Sequence, residues 1–156
     1  MDQMHLRFRR QHGIRMTELP GKREHFDDAA KNKFVDVVSI MLKAQVAASG
    51  RTSIDYSDGT VNLRALGYIY GFIDAALRTI GEDMAELSGS VSVTFQVFRR
   101  LFPGNEQRYL EALIEALPKD AVLTIAVLHG GQQYLDFNNR QLDVPMGLAR
   151  IVLGSS

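Results

Sequence analysis

The chain has 156 residues, 46% apolar and 23% charged, with 18 basic side chains balanced by 18 acidic ones and no cysteine. That composition suits one soluble globular domain with a sizeable core. It excludes a disordered chain, a disulfide scaffold, thiolate chemistry and cysteine-ligated metal, and it leaves no global field to steer the protein toward nucleic acid. No apolar run reaches the ~20 residues of a membrane span, and a cytoplasmic location is the default expectation for such a chain.

The first segment is basic. Arg7, Arg9, Arg10 and Arg15 face only Asp2 as a counter-charge, and the apolar centre of a secretory signal is missing. We read residues 1–21 as a basic arm and 22–156 as a helical domain; binding of nucleic acid through the arm is the weakest of three functional readings.

From Phe26 onward Ala30, Phe34, Val37, Met41, Ala44 and Ala48 recur at three- and four-residue steps, with Asn32, Asp36, Ser39 and Lys43 opposite. This predicts a long helix that ends near Gly50 and buries the first set. Asp58-Gly59 supplies a turn, flanked by residues that permit a small hairpin. Leu63, Leu66, Tyr70, Ile73, Leu77, Ile80, Met84 and Leu87 then form the stripe of a second long helix, capped by Thr60 or Asn62 and with Gly81 as a break near its end.

The stretch Val91–Phe102 alternates like a strand and also fits a helix started at Ser88-Gly89-Ser90; we favour the helix. Asn105 to Leu117 reads as a helix capped by Asn105, with Tyr109, Leu110, Leu113, Ile114 and Leu117 inward and Pro118 as the stop. Residues 121–138 fit either a hairpin turning at Gly130-Gly131 or a helix capped by Asp120. As a helix, Leu123, Val127, Gly130, Tyr134 and Phe137 share a face, and Ile125, Leu128 and Leu135 extend it nearly all round, which predicts a buried helix. A short closing helix follows, with Asp143 as cap and Pro145 in its first turn. The expected fold is therefore all-α, one bundle of five or six helices. The alternative is α+β with hairpins at 52–63 and 121–138.

Gly67, Gly71 and Ala75 lie on one ridge of the second helix, away from its leucine stripe. A glycine inside a helix costs roughly 1 kcal/mol against alanine, so the pair needs a reason. A ridge without side chains admits another helix backbone closely, and Gly130 marks the natural partner. Self-crossing in a homodimer is the rival.

Chemistry is sparsely signalled. Gly130-Gly131 lacks the Lys and Ser or Thr of a phosphate loop, and the four histidines lack metal-ligand spacing, so neither a cofactor nor a metal is expected. His129, Gln132, Gln133 and Asp136 form a polar patch on an otherwise apolar segment. His129 and Asp136 are candidates for acid–base work, and Asp74 beside Tyr68 and Tyr70 is a second candidate. Tyr68, Tyr70 and Gln133 are the candidate ligand-binding residues. Arg99 and Arg100, beside aromatics, could stack on bases, and they equally suit a helix C-terminus; Asp74 stands four residues before Arg78 as its helix partner. No family resemblance guides the choice. The favoured reading is a non-catalytic helical protein that acts through protein–protein contacts as a homo-oligomer. The alternative is an enzyme or small-molecule binder with an interhelical pocket near His129.

Overall fold

The computed structural model describes residues 28–80 and 87–154. The chain divides into two compact units, Met1–Phe34 and Val35–Ser156. Of the first unit only residues 28–34 are described, so the account below concerns the second, and the basic arm lies outside the described residues.

The described residues form six helices and no strand: α1 Asp28–Ala48, α2 Leu63–Thr79, α3 Leu87–Leu101, α4 Glu106–Ala116, α5 Ala121–Asn138 and α6 Gly147–Gly154. The fold is all-α. The α+β alternative reduces to a single antiparallel bridge, Asp55 to Val61, around the Asp58-Gly59 turn. There Gly59 adopts φ 89°, a conformation that favours glycine, and the Asp58 carboxylate accepts from the Thr60 N–H at 2.9 Å.

α2 is the central element. Asn62 caps it, its Oδ1 accepting from the Arg64 and Ala65 N–H groups, both at 3.1 Å. Leu66, Ile69, Phe72, Ile73 and Leu77 are all buried. The helix ends at Thr79, earlier than the stripe running to Leu87 suggests. Ile80, the next residue of that stripe, is half exposed, while Gly81 and Met84 lie outside the described residues.

Three further expectations are corrected. Ser88, Gly89 and Ser90 lie inside α3 instead of capping it. Asn105 precedes α4 without a capping bond from its side chain; its Oδ1 instead accepts from Arg108. The last helix begins at Gly147, beyond Asp143 and Pro145.

The face of α1 is also corrected. From Val35 on, the buried residues are Val35, Val38, Ser39, Leu42, Gln45 and Val46, whereas Val37, Ala44 and Ala48 are exposed. Two stripes one residue apart compete along this helix. The buried one carries three valines and Leu42 where the other has three alanines, and it brings Ser39 and Gln45 inside with them. α3 and α4 close the other side through Phe98, Phe102 and Tyr109, whose rings meet at 5.1–6.5 Å. Ile114 of α4, expected inward, is half exposed.

Candidate functional site

The site region is built on the crossing of α2 and α5. A β-carbon placed on Gly67 would stand 2.6 Å from the Leu123 carbonyl oxygen and 2.9 Å from the Ala126 β-carbon. One on Gly71 would coincide with the Val127 carbonyl, and one on Gly130 with the Tyr68 carbonyl. Backbone therefore packs on backbone at three points. Ala75 continues the ridge, 3.8 Å from where a β-carbon on Gly131 would lie.

This close approach sets Tyr68 between α1, α5 and α6. Its ring is fully buried, and its hydroxyl lies 2.9 Å from Gln133 Oε1 and 3.1 Å from Gln45 Oε1, so its one proton serves one carbonyl at a time. Each glutamine oxygen also accepts a backbone N–H from the first turn of α6: Gly147 donates to Gln133 and Leu148 to Gln45, both at 3.0 Å. Two side chains thus cap a helix start that has no Ser, Thr, Asp or Asn in place. Gly147 is needed there, because a β-carbon would stand 2.5 Å from the Tyr68 ring. Burial pushes the Tyr68 phenol up to about 12, so it stays a protonated donor. The Leu148 N–H fixes the Gln45 amide with its oxygen toward the node. That leaves Gln45 Nε2 buried without a hydrogen-bond partner, a cost of about 1–3 kcal/mol.

His129 lies on the outside of this node. Its imidazole meets the Tyr68 ring edge-on at 5.3 Å, and among the described residues it has no hydrogen bond. Partial burial lowers its pKa, and Arg64 and Arg150 lower it further, so the ring is neutral at physiological pH. Of the remaining candidates, Gln133 joins the node while Gln132 turns outward and donates to Asp136 at 2.9 Å. Tyr70 meets Ser90 Oγ at 3.1 Å, and Asp74 accepts from Arg78 at 3.0 Å. Tyr68, Gln133 and His129 therefore converge; Tyr70, Asp74 and Asp136 do not join them. Arg99 stacks over Phe95 at 5.2 Å, and Arg100 pairs with Asp36.

Sequence reasoning missed Gln45 and Gly147. Gln45 follows Val35, Val38 and Leu42 at helical spacing, and that position was its one available signal.

The outer face of α5 is the largest departure from expectation. Val122, Ile125, Leu128 and Leu135 are 51%, 67%, 69% and 37% exposed, on a helix expected to be buried all round. From Ala121 to Leu135 it carries no Asp, Glu, Lys or Arg. At its N-terminal end lies an open groove of about 500 Å³, lined by Leu63, Ala112, Glu115, Ala116, Lys119 and Asp120. Asp120 also caps α5, accepting from the Leu123 N–H at 2.9 Å.

Among the described residues no cluster of His, Asp and Glu has the arrangement to hold a metal ion, and no helix is long and apolar enough to cross a membrane. Compared with protein-family models, curated proteins and solved structures, the chain matches none.

Proposed function

We propose that this is a non-catalytic helical protein that works through protein–protein contacts, and that it self-associates through the outer face of α5. One observation carries this reading: an uncharged helix surface, with Ile125 and Leu128 both about two-thirds exposed, runs along the side of α5 opposite its tight contact with α2. A helix apolar on every side belongs in an interior, and an exposed apolar stripe of this extent marks an interaction surface.

The ligand-binding alternative draws on the convergence of Tyr68, Gln133 and His129. Against it, the Tyr68 hydroxyl and the Gln133 carbonyl are already committed to each other and to α6. Nucleic-acid binding has less support: the arginine arm it rests on lies outside the described residues, and of the helix arginines Arg100 is paired with Asp36 and Arg99 stacks on Phe95. A cytoplasmic setting goes with the interaction reading, as the default for a chain without a disulfide framework.

The test is Leu128→Glu in the full chain, with the mass in solution read by light scattering behind size exclusion. Leu128 is exposed, so the fold should persist and the far-ultraviolet circular dichroism should not change. The oligomer should fall to the monomer mass. An oligomer untouched by Leu128→Glu and by Ile125→Glu would remove α5 as the contact.

A further inference from the structure

We infer that the partner of α5 is the α5 of a second copy running antiparallel, with the Arg140 end of one helix seated in the groove at the Asp120 end of the other. The inference rests on the self-association reading above and assigns its geometry.

The spacing comes first. Ala121, Ile125, Leu128, Gln132 and Leu135 are all exposed, at steps of four, three, four and three residues. That is the seam spacing of two helices that pack side by side. A two-fold pair uses the same patch on both copies, so one stripe suffices.

Charge then selects the direction. The two ends of α5 carry unlike sets: Glu115, Lys119 and Asp120 line the groove at the start, and Asp136 and exposed Arg140 stand at the finish. In a parallel pair Arg140 would face Arg140 of the second copy, and Lys119 would face Lys119. The antiparallel pair brings Arg140 to a groove that holds two carboxylates, Glu115 and Asp120, beside one ammonium, Lys119, and it brings Asp136 to the Lys119–Asp120 end. It does so twice by symmetry, and it also opposes the two helix dipoles.

Arg140 itself is the third observation. It follows α5 with φ 63°, and the Arg140 N–H donates to the Phe137 carbonyl at 3.0 Å while the Gln141 N–H donates to the Asp136 carbonyl at 2.8 Å. Glycine holds this helix-ending position without strain, so an arginine is conformationally costly there. Among the described residues its guanidinium has no hydrogen bond or ion pair.

Area gives the last constraint. The three large apolar side chains of the stripe, Ile125, Leu128 and Leu135, expose on the order of 300 Å², less than half of the roughly 800 Å² that one partner contributes to a standard interface. Occupying the groove extends the contact toward that size.

The chain has no cysteine of its own, which makes directed cross-linking clean. The test is the full chain carrying Glu115→Cys and Arg140→Cys together, oxidised at micromolar concentration and run without reductant. The expected result is a disulfide-linked dimer from the double variant, with little from either single variant. The two sites flank opposite ends of a helix about 27 Å long, beyond the reach of a disulfide within one copy. Efficient cross-linking of Arg140→Cys alone would indicate a parallel pair and overturn the inference. So would failure to cross-link while the unmodified chain remains a dimer, which spares self-association and moves the contact elsewhere. A strictly monomeric unmodified chain overturns both and points to a different protein as the cover. Arg140→Gly is the second arm. It relieves the backbone strain, so resistance to urea should hold or rise while the dimer dissociation constant increases about tenfold or more. An unchanged dissociation constant would remove Arg140 from the interface.

Discussion

Gly71 on α2 gives its side-chain space to the backbone carbonyl of Val127 on α5, and no residue with a β-carbon fits there without moving one helix. Gly130 stands in the same relation to the Tyr68 carbonyl. These reciprocal contacts fix where α5 lies and which of its sides is left outward.

The first prediction sets two glycines against each other. Helix propensity alone would make Gly71→Ala stabilising by up to about 1 kcal/mol. The clash with Val127 reverses the sign, and the expected outcome is a net loss of about 1–3 kcal/mol. Gly131→Ala differs, since its new β-carbon would meet the Gly71 carbonyl oxygen at an ordinary 3.4 Å. That variant should be neutral or gain up to about 1 kcal/mol. Urea denaturation of both variants checks the pair; a stable Gly71→Ala protein would remove the packing account.

The polar node gives a second. Tyr68→Phe deletes the hydroxyl but leaves each glutamine oxygen its α6 N–H, so the loss should be only about 1 kcal/mol. The pH dependence should change as well. With the folded phenol at about 12 and an ordinary tyrosine near 10, the unfolded chain ionises first. Stability is therefore full below pH 10 and falls as pH rises toward 12. Tyr68→Phe should flatten that fall in part, because burial also raises Tyr109. An alkaline profile that does not change would mean that Tyr68 is solvated in the folded protein.

His129 gives a third, at the acid end. Its folded pKa lies below its ordinary value, so the unfolded chain takes up a proton first as pH falls. Stability is present above about pH 6.5 and is lost as pH drops through the lowered folded value. His129→Gln should reduce the loss between pH 7.5 and 5.5, measured by denaturant unfolding. A steeper loss in the variant would mean that the protonated ring is favoured in the fold.

How much of this was legible in the sequence depends on whether one chain's own packing decided the matter. The α2 ridge was readable because Gly67 and Gly71 have no helical use except to admit a backbone. The all-α class followed from the same helical spacings. On α1, two stripes one residue apart were nearly equivalent by periodicity. Alanines at 44 and 48 made one look buried, while Gln45 and Ser39 hid the other. Local pattern could not foresee that Gln45 would be needed to cap α6, since Leu148 lies 103 residues away. On α5 the pattern gave an apolar helix on all sides. Periodicity does not distinguish a face covered by its own fold from one left exposed, and Ile125 and Leu128 are in the second class.

The most direct measurement is sedimentation equilibrium of the unmodified full chain, from about 1 to 100 μM in near-physiological salt. Self-association through α5 predicts a mass that rises with concentration toward twice 17.4 kDa, with a single monomer–dimer constant fitting every loading. A mass of 17.4 kDa at every concentration would contradict it.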